Sequence, residues 1–151
     1  MIIDKANLFE GMDAGVVGEI DAATVRETFE PGAFIFRSGD PCEHLYILAE
    51  GRVRLSVGGE GLVALVVRNP GDAFGWSSLL DRDSYTASAE CLGATVVGKL
   101  PRSALAKVLD RECATGLIFY KRLAKLMAQR LMLAYRLLPA AHGEQKAMPG
   151  G

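Results

Sequence analysis

The spacing of apolar residues changes twice along the chain, and each change predicts a different kind of structure. Within Met1–Thr24 the apolar residues recur at roughly helical spacing, and Asp13 is a candidate N-cap. From Val25 to Leu100 short apolar runs alternate with glycine, proline and aspartate turns, a pattern typical of many short antiparallel strands. Beyond these strands, Arg102–Asp110 predicts a short helix and Cys113–Leu138 a long one. The chain is therefore expected to be mainly β, with helices at both ends.

The strand region contains two kinds of apolar pattern. Arg52–Val57 alternates strictly between polar and apolar residues, which predicts a strand with one wet face and one buried face. Leu45–Leu48 and Leu62–Val67 are continuous apolar runs, which are typical of strands that are covered on both sides. Because a β-sandwich or a jelly-roll barrel limits exposed sheet edges, we expect residues 25–100 to close into one of these two forms.

The long predicted helix has more apolar surface than one contact with the roll would cover. Its basic and amide side chains, apart from Arg130, fall within an arc of about 100° on a helical wheel. The surplus predicts a second partner, most simply the same helix of another subunit. The alternative is a helix that lies in a groove of its own domain. The predicted dimer contacts are Tyr120, Leu123, Met127, Leu131, Ala134 and Leu138.

Residues 139–151, which begin at Pro139, are mostly small and polar and are expected to form a flexible tail. The predicted organisation is thus a helical lead-in over residues 1–24, a β-roll over 25–100, helices over 101–138 and this tail.

Composition narrows the function classes. The 151-residue chain is half apolar and has a net charge of −1, so it shows no basic field for nucleic acid or an anionic membrane. The N-terminus has no basic lead and no long apolar run, which predicts a cytoplasmic protein without a membrane span. Cys42, Cys91 and Cys113 lack the spacing of a disulfide framework, a zinc site or an iron–sulfur cluster. We expect three ordinary reduced cysteines.

Pro70–Ala89, which reads PGDAFGWSSLLDRDSYTASA, is the candidate functional segment. Glycines and hydroxyl residues that open into a short helix direct several backbone N–H groups toward one point, and such groups bind an anion. The alternative is that Gly71-Asp72 is only a hairpin turn and that Phe74-Gly75-Trp76 is a strand end packing an aromatic ring.

The chain resembles a known family at glycine, proline and aspartate residues in fixed turns. These lie in Phe29–Leu55, which reads FEPGAFIFRSGDPCEHLYILAEGRVRL, and in Pro70–Gly75, which reads PGDAFG. Together with the order of elements, they resemble the cyclic nucleotide-binding domain family, which includes the sensor domains of the catabolite-activator and fumarate-nitrate regulators. The resemblance runs from about Leu8 to Leu138. It implies a β-roll with a phosphate-binding cassette between two strands and a dimerising C-terminal helix over the ligand.

Two residues of Pro70–Ala89, called the cassette from here on, depart from the family pattern. In members that bind cyclic nucleotides, the residue after Phe-Gly is a glutamate that holds the ribose 2′-hydroxyl, and an arginine before Thr/Ser-Ala binds the phosphate. Trp76 and Tyr85 occupy these positions. Loss of both charge-assisted contacts, at roughly 1.5–3 kcal/mol each, corresponds to about two to four decades of affinity. The departures predict that cyclic AMP does not bind tightly in the usual way.

Other cassette residues keep the family's ligand-binding pattern. Backbone and hydroxyl donors are expected from Gly75, Ser77 and Ser78. Arg82 is either a replacement cation or a solvated loop residue between two aspartates. Trp76 and Tyr85 either form an aromatic wall for a planar ligand or fill the pocket. The predicted ligand-binding residues are Phe74, Gly75, Trp76, Ser77, Ser78, Arg82, Tyr85, Thr86 and Ala87.

Nothing in the sequence predicts catalysis. His44 and His142 lack partners at metal-ligand spacing, and Ser77-Ser78 have no evident base. The leading hypothesis is a non-catalytic sensor or regulatory domain that dimerises through its C-terminal helix, with a cyclic nucleotide or another small anionic or planar ligand. A partner-binding or structural dimer with a vestigial pocket is one alternative. The other is the sensor part of a transcription regulator that lacks its DNA-binding domain. An effector protein is an expected partner, whereas nucleic acid is not expected to bind this chain alone.

Overall fold

The described part of the chain folds into a two-sheet β-roll with helices packed on one side. The structure is a computed structural model that describes residues 2–58 and 64–142. Its strands are β1 Val25–Phe29, β2 Phe34–Phe36, β3 His44–Glu50, β4 Val53–Ser56, β5 Ala64–Val67, β6 Ala73–Phe74, β7 Ser88–Cys91 and β8 Thr95–Pro101. Its helices are α1 Ala14–Ala23, α2 Arg102–Arg111 and α3 Cys113–His142, with short 3-10 helices at Ile3–Lys5, Asn7–Phe9 and Trp76–Leu79.

The two antiparallel sheets have the strand orders β1-β8-β3-β6 and β2-β7-β4-β5. Both orders mix strands from the first and last thirds of the roll, which is the connectivity of a double-stranded β-helix. The predicted fold class, mainly β with a jelly-roll core and a long C-terminal helix, is confirmed.

Strand β3 separates the two halves of the hydrophobic core. Leu45 and Ile47 face a cluster formed with the N-terminal segment, α1, α2 and α3. Tyr46 and Leu48 face the interior of the roll. Because successive side chains on a strand point to opposite faces, an apolar residue is needed at every position. The continuous apolar run therefore belongs to a strand covered on both sides, as predicted.

The other two strand patterns behave differently. Val53 is buried and Arg54 is exposed, so the alternation predicted for β4 is present there. In β5, Leu65 and Val66 are only half-buried, because this strand lies at the edge of its sheet. The prediction that this run is covered on both sides is therefore wrong for Leu65 and Val66. Leu62 and Val63 lie outside the described residues.

The first helix begins where the sequence predicts. The Asp13 carboxylate accepts hydrogen bonds from the backbone N–H groups of Gly15, at 3.0 Å, and Val16, at 3.3 Å. These contacts satisfy two of the donors that a helix leaves unpaired at its start, so Asp13 is the N-cap.

The last helix extends further than predicted. It continues through Pro139 to His142, so the expected start of the tail at residue 139 is wrong for residues 139–142. A proline within a helix removes one hydrogen bond and costs about 3 kcal/mol, but Ala140 and Ala141 directly after it are the best helix formers. Residues 143–151 of the predicted tail lie outside the described residues.

Candidate functional site

Within the cassette, the chain makes a sharp turn at a position that favours glycine. Gly75 has a φ of +78°, and a Cβ atom there would lie 3.1 Å from a ring carbon of Tyr46. The turn connects β6 to the 3-10 helix Trp76–Leu79, in which the Ser78 hydroxyl donates to the Gly75 carbonyl at 3.2 Å. Both proposed descriptions of this segment are thus present: a strand end at Phe74 and a glycine-hydroxyl opening to a short helix.

A cavity of about 150 Å³ lies between the cassette, the β4–β5 hairpin and α3. We call it the cassette cavity. Of the predicted ligand-binding residues it is lined by Gly75, Trp76, Ser77, Tyr85, Thr86 and Ala87. Phe74 instead belongs to the core of the roll, where it is fully buried. The Ser78 side chain is buried and bonded to the Gly75 carbonyl, so it holds the turn.

Tyr85 occupies the interior of the roll at the edge of this cavity. Its ring stacks on Phe36 with centroids 3.8 Å apart, and its hydroxyl donates to the His44 carbonyl at 2.8 Å. Burial raises the pKa of the Tyr85 hydroxyl well above its usual value, so the group remains a neutral donor. The phenol hydroxyl is therefore used inside the roll, and the ring still forms a wall of the cavity.

Arg130 is a cavity residue that the sequence analysis did not select. It reaches from α3 over the indole of Trp76, with 4.5 Å between the guanidinium carbon and the ring centroid, and donates through Nη2 to the Ala73 carbonyl. Burial lowers its pKa to about 10, partly offset by the negative charge of Asp72. The guanidinium is still protonated at neutral pH, so α3 places a buried positive charge against the cassette. The available signal was its isolated position on the apolar side of the helical wheel.

One nitrogen of this guanidinium has no hydrogen-bond partner. Nη1 of Arg130 is buried and unpaired within residues 2–58 and 64–142. An unpaired buried donor on a charged group is costly, and native proteins usually satisfy such groups. The site therefore has an unused donor beside the cassette cavity.

Arg82 lies elsewhere. Its side chain is exposed. Together with Asp81 and Asp83 it lines a different surface groove, between the end of the 3-10 helix Trp76–Leu79 and α2. Its backbone carbonyl accepts a hydrogen bond from the Cys42 thiol at 2.9 Å. The structure therefore does not bring Arg82 together with the residues of the cassette cavity.

The histidine and cysteine positions show no metal chemistry. No group of three or more His, Cys, Asp or Glu residues that could hold a metal ion occurs in the part of the chain that the structure describes. His44 lies on β3, where burial and then the charge of Lys99 lower its pKa. Cys42 and Cys91 are buried and reduced, and Cys113 is exposed and reduced.

The predicted dimer residues divide into two groups. Leu123 is only 2% exposed and packs in the core beneath α3, so the prediction that it contacts a second subunit is wrong. Its position on the helix faces the roll rather than solvent. Tyr120 and Leu131 are 47% and 46% exposed, whereas Met127 and Ala134 are half-buried. The side chain of Leu138 lies outside the described residues.

The fold and the position of the cavity define a β-roll ligand-binding domain covered by a C-terminal helix. Residues 26–112 match the family model described as the cyclic nucleotide-binding domain. The chain belongs to this family, and it is a regulatory sensor domain of the cyclic nucleotide-binding type.

Individual relatives agree with this assignment. The chain is 26% identical over 151 residues to the mouse cyclic nucleotide-gated channel beta-3, a match that covers 98% of this chain and 22% of the channel. It is 27% identical over 135 residues to the CRP-like cAMP-activated global transcriptional regulator of Mycobacterium tuberculosis, covering 86% of this chain and 57% of the regulator. The chain thus spans less than two thirds of the length of either relative.

A solved structure supports the same fold. The catabolite activator protein of Thermus thermophilus superimposes with a TM-score of 0.68 at 30% identity, over 89% of this chain and 62% of that protein. Among the described residues, no helix is long and apolar enough to cross a membrane.

Proposed function

We propose that this domain is a non-catalytic dimeric sensor, in which occupancy of the cassette cavity changes how α3 packs. The observation that carries the proposal is the contact of Arg130. This residue belongs to α3, yet it stacks on Trp76 of the cassette and donates to the carbonyl of Ala73. Any ligand that enters the cassette cavity therefore meets the long helix directly.

The mechanism is a shift between two arrangements of the cassette and α3. A ligand that binds one arrangement more tightly than the other increases its population by the difference in binding free energy. Because Arg130 contacts both Trp76 and Ala73, a change in its position alters the packing of α3 against the roll. The rest of α3 then carries this change to whatever the helix contacts.

The contact with a second subunit is proposed to use a heptad stripe of α3. The residues recur at alternating intervals of three and four, which is the spacing of a helix that pairs with a copy of itself. The apolar stripe consists of Leu117, Tyr120, Ala124, Met127, Leu131 and Ala134. Leu117, Tyr120 and Leu131 are 59%, 47% and 46% exposed and Ala124 is exposed, so most of the stripe is available to a partner. The stripe keeps four of the residues predicted from the sequence.

The dimer is tested by light scattering coupled to size-exclusion chromatography. We expect twice the 16.2 kDa mass of one chain. Leu131→Glu should give a monomer, because a carboxylate would be buried at the centre of the interface. Leu133→Glu is the matched control, since Leu133 is 45% exposed against 46% for Leu131 but lies off the stripe. A dimer that survives Leu131→Glu, or is lost equally in both variants, overturns this interface.

Tight binding of cyclic AMP in the usual way is not part of the proposal. Trp76 cannot accept a hydrogen bond from a ribose hydroxyl, and the Tyr85 hydroxyl is already bonded to the His44 carbonyl. The relatives that are named for cyclic nucleotides or cyclic AMP support a small-molecule ligand, but these two residues favour a different one.

Sensing is tested by a thermal-shift screen of the wild-type protein with cyclic AMP, cyclic GMP, cyclic dinucleotides and small organic anions. A ligand selective for the folded state must raise the Tm. We expect a rise with at least one compound and none with cyclic AMP at concentrations that saturate ordinary members. If no compound raises the Tm, the sensing function fails.

A second function is a partner-binding dimer with a vestigial pocket. The observation that favours it is Tyr85, whose ring stacks on Phe36 and whose hydroxyl is satisfied inside the protein. On this alternative the apolar stripe would be the functional surface and the cavity would only be a packing defect. The same screen separates the two functions.

The partner of the domain, its location in the cell and the activity of the whole protein are also proposals. The absence of a basic field among the sequence's charges supports an effector protein, not nucleic acid, as the partner of this chain. The reduced cysteines Cys42 and Cys91 support a cytoplasmic location. Transcription regulation, as in the Mycobacterium tuberculosis relative, is the activity of a whole protein of which this chain would be the sensor part.

A further inference from the structure

We propose that the cassette cavity binds a small aromatic monocarboxylic acid, whose ring lies between Trp76 and Tyr85 and whose carboxylate is bound by Arg130. This proposal rests on the proposed sensing function and names the class of ligand. It is argued from the size of the cavity, from the residues that line it and from the charge beside it.

The size of the cavity fits one ring. Its volume is about 150 Å³. A dry cavity of about 150 Å³ binds benzene, whereas pockets for larger ligands occupy about 300–1,000 Å³. A cyclic nucleotide carries a base, a ribose and a phosphate, so much of it would lie outside a space of this size. A single six-membered ring with one small substituent would fit inside it.

The walls of the cavity are apolar and partly aromatic. Its apolar and aromatic lining residues include Phe36, Leu55, Leu65, Trp76 and Tyr85. Flat apolar ligands gain dispersion and ring-stacking contacts from such walls. The neutral hydroxyl residues Ser77 and Thr86 also line it, and they supply hydrogen-bonding groups without charge.

The charge beside the cavity is positive, and the described residues that line the cavity include no acidic side chain to balance it. Arg130 is the one ionisable residue of fixed charge that lines the cavity in the part of the chain that the structure describes. Its Nη2 is used by the Ala73 carbonyl, while its Nη1 is buried without a partner. A carboxylate in the cavity would pair with a cation that has already lost most of its water, and a rotation of the guanidinium would bring the buried Nη1 to it. The single positive charge of Arg130 therefore matches a ligand that carries one negative charge.

The indole of Trp76 keeps the cation in place for this contact. With the guanidinium carbon 4.5 Å from the ring centroid, the cation–π interaction holds Arg130 over the cassette. The ligand's carboxylate would meet an arginine that is already held at the cassette, so little conformational entropy is lost on binding.

The experiment uses benzoate as the probe and the intrinsic fluorescence of the 151-residue chain as the readout. The chain has a single tryptophan, Trp76, which lines the cavity, so a change in its emission reports on this site. Benzamide is the matched neutral ligand, because it has the same ring and nearly the same shape without the charge. We expect saturable quenching by benzoate and at least tenfold weaker binding of benzamide.

Two arginine variants locate the charge. Arg130→Gln removes the proposed contact and should weaken benzoate binding by about tenfold or more. Arg122→Gln is the control: Arg122 also lies on α3 and donates to a main-chain carbonyl, that of Leu8, but it does not line the cassette cavity. It should bind benzoate as the wild type does. Because Arg130→Gln could fail to fold, Arg130→Lys is measured as well and should keep the preference for benzoate over benzamide.

Each outcome decides the proposal. Equal affinity for benzoate and benzamide, or unchanged benzoate binding in Arg130→Gln, overturns it. Binding of cyclic AMP without binding of benzoate overturns the ligand class and leaves the sensing function intact. If the wild-type protein responds to no compound in either screen, both the sensing function and the ligand class are wrong.

Discussion

The guanidinium of Arg130 lies over the indole of Trp76, 4.5 Å from the centroid of the ring, and joins the long C-terminal helix to the cassette. In the family pattern the residue after Phe-Gly is a glutamate on the cassette itself. Here an aromatic ring replaces that acid, and a positive charge from another element lies above the ring. The site has therefore lost the acid and the cassette arginine of the family pattern, and its cation comes from α3 instead.

The turn at the start of the cassette should be highly sensitive to substitution of its glycine. Gly71 has a φ of +95°, and an added Cβ would lie 2.3 Å from the Lys5 carbonyl oxygen. Gly71→Ala should lower the free energy of unfolding by more than about 3 kcal/mol, because backbone must move in addition to the cost of positive φ, about 1–2 kcal/mol. Urea denaturation at neutral pH measures the change.

Substitution of a second glycine separates the clash of the added Cβ atom from the backbone cost of a positive φ. Gly39 has the same φ of +95°, but an added Cβ would meet nothing within 4 Å. Gly39→Ala should cost only the backbone term, about 1–2 kcal/mol. Equal losses in the two variants would show that the contact between Gly71 and the N-terminal segment is not stabilising.

The buried hydroxyl of Tyr85 should contribute measurably to stability. Tyr85→Phe leaves the His44 carbonyl without its 2.8 Å hydrogen bond and should cost about 1–2 kcal/mol, or roughly 2–8 °C in Tm. Calorimetry measures the shift. Tyr135→Phe is the control, since the half-buried Tyr135 makes no hydroxyl hydrogen bond within the described residues. An unchanged Tm for Tyr85→Phe contradicts the role given to this hydrogen bond.

Stability should fall in mild acid because of His44. Burial, and then Lys99, lower the pKa of His44 from 6.5 in the folded state. Well above pH 6.5 both states are neutral and His44 contributes nothing. As the pH falls below 6.5 the unfolded state takes up the proton first, so the free energy of unfolding decreases.

This pH effect is measured by comparison with a variant. Urea midpoints of the wild type and His44→Gln at pH 7.5 and pH 5.5 isolate the histidine from the carboxylates that titrate below it. The wild type should lose more stability than His44→Gln over this interval. The backbone carbonyl of residue 44 is retained in the variant, so the Tyr85 hydrogen bond is unaffected. Equal losses would show that the environment of His44 does not disfavour its charged form.

The sequence predicted the elements whose signals are local. Asp13 marks the start of α1 because an N-cap acts within three residues, and Leu45–Leu48 predicts a doubly covered strand because the pattern is complete within β3. The fold class followed from the turn residues between the strands. These features need no knowledge of distant contacts.

The sequence could not predict which apolar residues of α3 face the roll. Leu123 and Leu131 are both leucines on the apolar side of the wheel, yet one is 2% exposed and the other 46% exposed. The difference depends on how the helix rotates when Phe119 and Leu123 pack against the N-terminal segment. A helical wheel gives relative directions only, so this rotation is set by tertiary contacts.

The same limit applies to the site. Arg130 is far from the cassette in sequence, and its burial follows from the position of α3 over Trp76. Whether Tyr85 fills the pocket or lines it depends on the distance of its hydroxyl from the His44 carbonyl, which no local pattern specifies. The structure shows that both descriptions apply: the hydroxyl is used inside the protein, and the ring lines the cavity.

Restoring the family's two charged residues should convert the specificity of the site. In the double variant Trp76→Glu, Tyr85→Arg, the introduced carboxylate can accept from a ribose hydroxyl and the introduced guanidinium can pair with a cyclic phosphate. Loss of the indole also enlarges the cavity of about 150 Å³. We expect cyclic AMP to raise the Tm of this variant and not that of the wild type. At a hundred times its Kd, the ligand would add about 2.7 kcal/mol of stability.

The unliganded double variant should be less stable than the wild type, because a second guanidinium would be buried near Arg130 where Tyr85 now makes a neutral hydrogen bond. Tyr85→Arg alone is the control, since it keeps the indole that excludes the ribose and should show little response to cyclic AMP. A thermal-shift titration of the three proteins decides between the explanations. If the wild type responds to cyclic AMP as strongly as the double variant, then Trp76 and Tyr85 do not set the specificity of this domain, and another acid and base must bind the nucleotide.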